Sequence, residues 1–310
     1  MRRRLFLAHA GSAAILAAAW RPAVSLAREA EVPLTVSQLA ANLWQISGAG
    51  GNVTVFKSSE GVLLVDGGAA ADSKRLLAEV QKLTGTTRVH TLFNTHWHHD
   101  QTGSNEILGK AGTRIIAHEN TRLWLTTDVI SKWEGGRVYQ PLPKIAQPNE
   151  TFYTQASLDF GGETIDYGQL GQAHTDGDIY VYFRKANVLV AADVAAAGAF
   201  PIIDYCTNGW IGGMVSAVQT LTELANDNTK IVAGKGAPLS LGQLKAEHSM
   251  LNTLKQRLSR MIAQGKGAEE MIAERPAKEF EAEWGDPTLL IRNCYPGMAN
   301  RARELGVSIV

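Results

Sequence analysis

Cysteine is almost missing from this chain: Cys206 and Cys294 are the only two among 310 residues. That is too few for a disulfide-stapled scaffold, and the pair is not at metal-ligand spacing, so both read as free or partly buried thiols. A charge excess is also missing, with 30 basic and 30 acidic residues. No basic stripe of the kind that nucleic acid requires is present. Beyond the N-terminus, no apolar run reaches membrane-spanning length, and no short-period repeat occurs. What remains is about 45% hydrophobic residues, enough for the core of one large globular domain.

The N-terminus reads as an address, not as fold. Arg2, Arg3 and Arg4 precede an apolar run through Ala19, and Ser25-Leu26-Ala27 offers small residues for cleavage. Arg3-Arg4-Leu5-Phe6-Leu7 resembles a twin-arginine export signal. Residues 1–27 are therefore expected to be removed, leaving 28–310 as a single domain, periplasmic or secreted, with no stable membrane anchor. Removal takes four arginines and no acid, so the mature chain carries 26 basic against 30 acidic residues, a formal charge of −4.

Strands are expected at 52–56 and 62–66, joined by the turn Ser58-Ser59-Glu60-Gly61, and again at 89–93 and 114–117. Leu76, Leu77, Val80 and Leu83 share one helical face between Asp72, a candidate cap, and Gly85, a candidate stop. Residues 127–150, with Gly135-Gly136 and three prolines, read as a long surface excursion. Further strands are expected at 164–167, 179–183, 188–191 and 230–233, and helices at 214–225 and 241–262. From about 240 the chain is mostly helical and broken by "RPAKEFEAEWGDP".

The chemistry gathers where strands give way to loops. "FNTHWHHDQTGSN" places His96, His98 and Asp100 two apart directly after a strand. Neutral imidazoles so spaced are the preferred nitrogen donors for zinc. His174 follows in "GQAHTDGDIYVYF", and Asp193 ends "VLVAAD". His99 and His118 read as structural, the latter as a helix start. Asp176 and Asp178 read as turn residues.

These motifs, with the earlier "NVTVFKSSEGVLLVDGG" ending at Asp66-Gly67-Gly68, stand in the order of the metallo-β-lactamase superfamily, which the chain resembles over about residues 40–240. The resemblance implies an α/β (α+β) fold, a four-layer αββα sandwich with metals at one edge. It implies a first zinc on His96, His98 and His174, a second ion on Asp100 and two further histidines, and Asp193 between them. Asp66 is implied as a support behind the metal loop.

Here the sequence departs from the pattern. Gln101 stands where the family has a histidine after the aspartate, and Lys235, in "IVAGKGAP", where it has another. A glutamine is a poor zinc ligand, and an ammonium has no lone pair. The expectation is one strongly bound zinc, with a second ion weak or absent. Lys235 would stand in for the missing charge, and Asp100 would orient water or act as base. The reaction expected is hydrolysis of an ester-, lactone- or lactam-like bond in a small-molecule substrate. Two other readings stay open: a mononuclear iron oxidoreductase using His96, His174 and Asp193, and a non-catalytic binding protein. A monomer or a homodimer is compatible with the sequence.

Overall fold

The computed structural model describes residues 32–304; the proposed export segment lies outside the described residues. One sheet of seven strands forms from β1 (Thr35–Ala40), β2 (Leu43–Ala49), β3 (Gly51–Ser58), β4 (Gly61–Val65), β5 (Val89–Phe93), β6 (Arg114–His118) and, after the small hairpin β7 (Val129–Ser131) and β8 (Arg137–Tyr139), β9 (Glu150–Phe152). Its first four strands meander antiparallel, and β4, β5, β6 and β9 run parallel. A five-stranded sheet follows in the order β10 (Gln155–Phe160), β11 (Glu163–Gln169), β12 (Ile179–Phe183), β13 (Val188–Ala192) and β14 (Lys230–Ala233).

Side chains alternate across a strand, so a strand apolar at every position must be covered on both faces. In β4, Leu63 and Val65 pack with Phe160, Val181, Phe183 and Val190 of the other sheet. The intervening Val62 and Leu64 pack on Leu76 and Val80 of α1 (Ser73–Thr84) and Leu108 of α3 (Asn105–Lys110), which follows the single turn α2 (His99–Thr102). The same division runs through the second sheet. Val188 and Val190 face inward, while Leu189 and Ala191 face α5 (Ile211–Leu224) and α6 (Leu241–Ala263). The result is helix, sheet, sheet, helix, the four layers that the resemblance implies. Short α4 (Glu119–Leu125) lies after β6.

The helical C-terminal part, α6 with α7 (Ala268–Ala273), α8 (Glu281–Trp284) and α9 (Thr288–Glu304), thickens this outer layer: Met271, Trp284, Leu290 and Ile291 join the core outside the second sheet. Among the described residues no helix is long and apolar enough to cross a membrane.

Local details refine several expectations. Gly85 ends α1 in a left-handed conformation, but Asp72 does not cap it: its carboxylate accepts from Arg75 Nε at 2.8 Å instead. The excursion at 127–150 contains the β7–β8 hairpin, two 3-residue helical turns (Lys132–Glu134 and Lys144–Ala146) and the start of the edge strand β9. His118 caps α4, its Nδ1 accepting from the Asn120 N–H at 3.1 Å. Both cysteines are free.

Candidate metal centre

The ends of β5, β11, β13 and β14 bring four separated segments to one edge of the sandwich. Nε2 of His96 stands 3.1 Å from Nδ1 of His98, and Nε2 of His174 stands 2.9 Å from that same Nδ1. Oδ2 of Asp193 lies 3.6 Å from Nε2 of both His96 and His174. The four donor atoms all fall within 4.8 Å of one another.

Nitrogens so close without a shared cation would repel through their lone pairs. What makes them ligands is how the opposite nitrogens are held, because the bond made by one ring nitrogen fixes the state of the other. His98 Nε2 meets Asp204 Oδ2 at 3.2 Å, and His174 Nδ1 meets the Ile202 carbonyl at 2.8 Å. His96 Nδ1 lies 3.1 Å from Thr95 Oγ1, whose hydroxyl donates to Asp66 Oδ2 at 2.7 Å. Each outer nitrogen therefore carries the proton and each inner one keeps its lone pair.

Burial pushes His96 and His174 well toward the neutral, ligating form, and neighbouring imidazoles add to it. For His98 burial acts the same way, but the Asp204 carboxylate outweighs it and holds the ring above the usual imidazole value. Three inward imidazole lone pairs with a carboxylate beside them are donors suited to zinc or a comparable divalent ion. The residues fit a metal.

Asp66 sits behind this loop as a buried support, taking the Thr95 N–H at 2.8 Å and the Thr95 hydroxyl. Burial drives its carboxyl far above the ordinary range, against the pull of those two bonds. Its φ of 66° is a backbone strain, of the order of 1–3 kcal/mol for a non-glycine residue. Strain of this kind persists where surrounding bonds fix the conformation.

Asp204 is the functional residue that sequence reading missed. It is fully buried, and besides His98 it accepts from Trp133 Nε1 at 2.9 Å, the Cys206 N–H at 3.0 Å and the Thr207 hydroxyl at 2.6 Å. Those partners, His98 foremost, keep its carboxyl ionised below the usual range despite burial. No spacing rule reaches from His98 to a residue 106 positions on. Trp133 arrives from the excursion before β8, so that segment helps to set a ligand histidine. Asp178, by contrast, belongs to the turn: it takes the Thr175 N–H and hydroxyl, and burial raises its carboxyl to about 8.

The neighbouring position differs. Lys235 Nζ lies 3.3 Å from Asp100 Oδ2. The turn carrying it is pinned from the first sheet: Asn52 N donates to the Gly234 carbonyl, and Gln45 and Asn52 amides donate to the Gly236 carbonyl. Gly234 has to be glycine, since a Cβ there would lie 1.5 Å from Asp193 Oδ1. Asp100 and Asp193 together hold the Lys235 ammonium above its usual pKa, against its partial burial. Gln101 is fully buried against Gly51, and neither its amide nitrogen nor its oxygen finds a partner. It is not among the converging donors.

Comparisons with known proteins place this geometry. A metallo-beta-lactamase type 2 of Bacillus sp. (strain 170) is 21% identical over 211 residues, 66% of this chain and 76% of that protein. The hydroxyacylglutathione hydrolase GloC of Haemophilus influenzae is 24% identical over 215 residues, 64% of this chain and 91% of that protein. Among solved structures, the metallo-beta-lactamase from Pontibacter korlensis superposes with a TM-score of 0.56 at 18% identity, covering 71% of this chain and 99% of the other. The sequence profile of the metallo-beta-lactamase superfamily matches residues 46–236, which span the histidine loop, His174, Asp193 and the Lys235 turn, and the chain belongs to that superfamily.

Proposed function

We propose that the chain is an exported metal-dependent hydrolase that holds one tight zinc ion and cleaves an ester-, lactone- or lactam-like bond in a small molecule. The observation that carries this reading is the contrast at the sheet edge. Four donors, three of them histidines with tied outer nitrogens, converge at one point, and an ammonium paired with Asp100 stands beside them.

A divalent ion on His96, His98, His174 and Asp193 would supply a Lewis acid and a water of lowered pKa. The protein supplies the rest. Asp204, the Ile202 carbonyl and Thr95 fix the three rings in their ligating tautomers. Asp100 is placed to orient a water and to take its proton. Lys235 neutralises Asp100 and presents an ammonium N–H to charge that develops on the substrate oxygen. Lys235 and the unligating Gln101 support a single tight ion, because a second dication would face an ammonium and two residues that offer only one strong donor between them. The arginine-led apolar segment at 2–19 supports export, and hence a substrate found outside the cytoplasm.

Elemental mass spectrometry on chain purified without chelator tests the reading. About one zinc per chain is expected. Two zincs would mean that Asp100, Gln101 and Asp193 hold a second ion despite Lys235. One iron would replace hydrolysis with the oxidoreductase reading.

A further inference from the structure

Asp193 does more than complete the donor set: the chain that leaves it builds a wall. Residues 195–197 and 199–202 line a cavity of about 200 Å³ that also includes His174, Asp193, Lys235 and Gly236. Apart from those at the metal edge, the lining side chains are small or apolar: Ala195, Ala197, Ala199, Phe200, Pro201 and Ile202 among them. The wall is fixed along its length. The Ala196 N–H donates to the buried Glu247 carboxyl at 3.1 Å, and the Phe200 N–H donates to the Trp284 carbonyl at 3.0 Å. The Ile202 carbonyl is the acceptor that orients His174. Lys235 is the single cation of the lining, and it is already paired with Asp100.

Size and polarity together choose an occupant. An apolar cavity of roughly 150 Å³ accepts a benzene ring, so this pocket, which opens to solvent, has room for a phenyl group or a short alkyl chain. A carboxylate or ammonium set among the alanine, phenylalanine, proline and isoleucine side chains would lose water there, and the one cation of the lining, Lys235, lies at the metal edge and is already paired with Asp100. Resting on the hydrolase reading above, we infer that the pocket takes the uncharged acyl side chain of the substrate, a short aliphatic or aromatic group, with the scissile carbonyl at the metal edge. In the hydrolysis the acyl carbon–oxygen bond breaks. The water oxygen joins the acyl carbon, one water proton goes to the leaving oxygen, and the carboxylic acid formed gives its proton to solvent.

The test uses the metal-loaded chain and ethyl esters of acetic, butyric, hexanoic and benzoic acids beside monoethyl succinate, followed by pH-stat. It adds calorimetric binding of hexanamide, which needs no turnover. kcat/KM is expected to rise roughly tenfold or more from acetate to hexanoate and to fall for the succinate. Ala197→Leu and Ala199→Leu, which fill the cavity in different places, are each expected to remove both the chain-length gain and hexanamide binding. A flat series, or a preference for the succinate, would overturn the inference while leaving hydrolysis standing. If no ester is cleaved but hexanamide binds and either leucine variant abolishes binding, the pocket stands and the ester part of the hydrolase reading falls. Absence of hexanamide binding to the wild-type chain overturns the pocket, whatever the esters show.

Discussion

Two adjacent positions on one sheet edge received opposite treatment. At the first, every histidine donor has its far nitrogen anchored: His98 on Asp204, His174 on Ile202, His96 on Thr95 and through it Asp66. At the second, Asp100 is matched by Lys235, and Gln101 keeps two buried amide atoms without partners. A metal site is thus more than a set of ligand residue types. The first position spends buried hydrogen bonds on holding lone pairs inward, whereas the second is neutralised from within the protein. The difference predicts where ions bind and how substitutions rank.

The largest effect should come from breaking the first position itself. His96→Ala is expected to abolish stoichiometric metal and to cost activity well beyond the ~100-fold upper range of outer-partner changes, measured by elemental analysis and kcat/KM on the same preparation. Retained function without metal would favour the binding-protein reading.

Converting the second position into a copy of the first should raise the metal count. Gln101→His combined with Lys235→His adds two imidazoles beside Asp100 and removes the ammonium. The content is expected to rise from one ion per chain to two. An unchanged count would show that the loops, not those two residues, forbid the second ion.

Loosening one anchor should have an intermediate effect. Asp204→Asn keeps the shape but withdraws the carboxylate from His98, and zinc affinity is expected to fall about 10–100-fold in a chelator competition. A fall for Asp204→Asn no larger than for an exposed control would deny it a role in holding the ligand.

A buried carboxyl outside both positions calibrates these effects. Burial raises Glu247 to about 8, against roughly 4.3 in an unfolded chain. Between these values the folded chain keeps a proton that the unfolded chain has lost. The contribution of this group is therefore intact at low pH and declines as pH rises through the window, by ~1.4 kcal/mol per pH unit. Glu247→Gln lacks this slope, so its thermal midpoint relative to the wild type should climb between about pH 5 and about pH 8. A constant difference would place the Glu247 pKa near its usual value.

The smallest effect is expected from Lys235→Ala on stability. Its side chain is 64% exposed, and an exposed ion pair is worth about 0–1 kcal/mol. Thermal denaturation should shift by no more than about 4 °C, so any loss of turnover in this variant reports on chemistry and not on folding.

Much of this molecule was legible in one dimension. The central strands β4, β12, β13 and β14 announce themselves because they are apolar on both faces. His96, His98, His174 and Asp193 announce themselves because each follows within a few residues of a strand. The edge strands do not. β1 is exposed along most of its length, and β10 alternates exposed with inward positions but fully buries only Phe160, so neither carries the signal of a strand covered on both faces. Gln45 is buried within β2 for a reason visible only in three dimensions, the Gly236 carbonyl contributed by the other sheet.

The sequence by itself determined most of the buried strands and helices, through side-chain alternation and helical spacing, and set the candidate donors after strands; the layered architecture and the ligand set were implied by the family resemblance that the ordered motifs carry. Tertiary structure alone decided which nitrogen of each histidine faces the shared point, that Asp204 and Trp133 stand behind His98, that Lys235 meets Asp100, and that an alanine-rich loop lines a largely apolar pocket. These are contacts between segments tens to more than a hundred residues apart. Hydrogen bonds and burial act through distance in space, and that distance is set only when the two sheets close on their shared core.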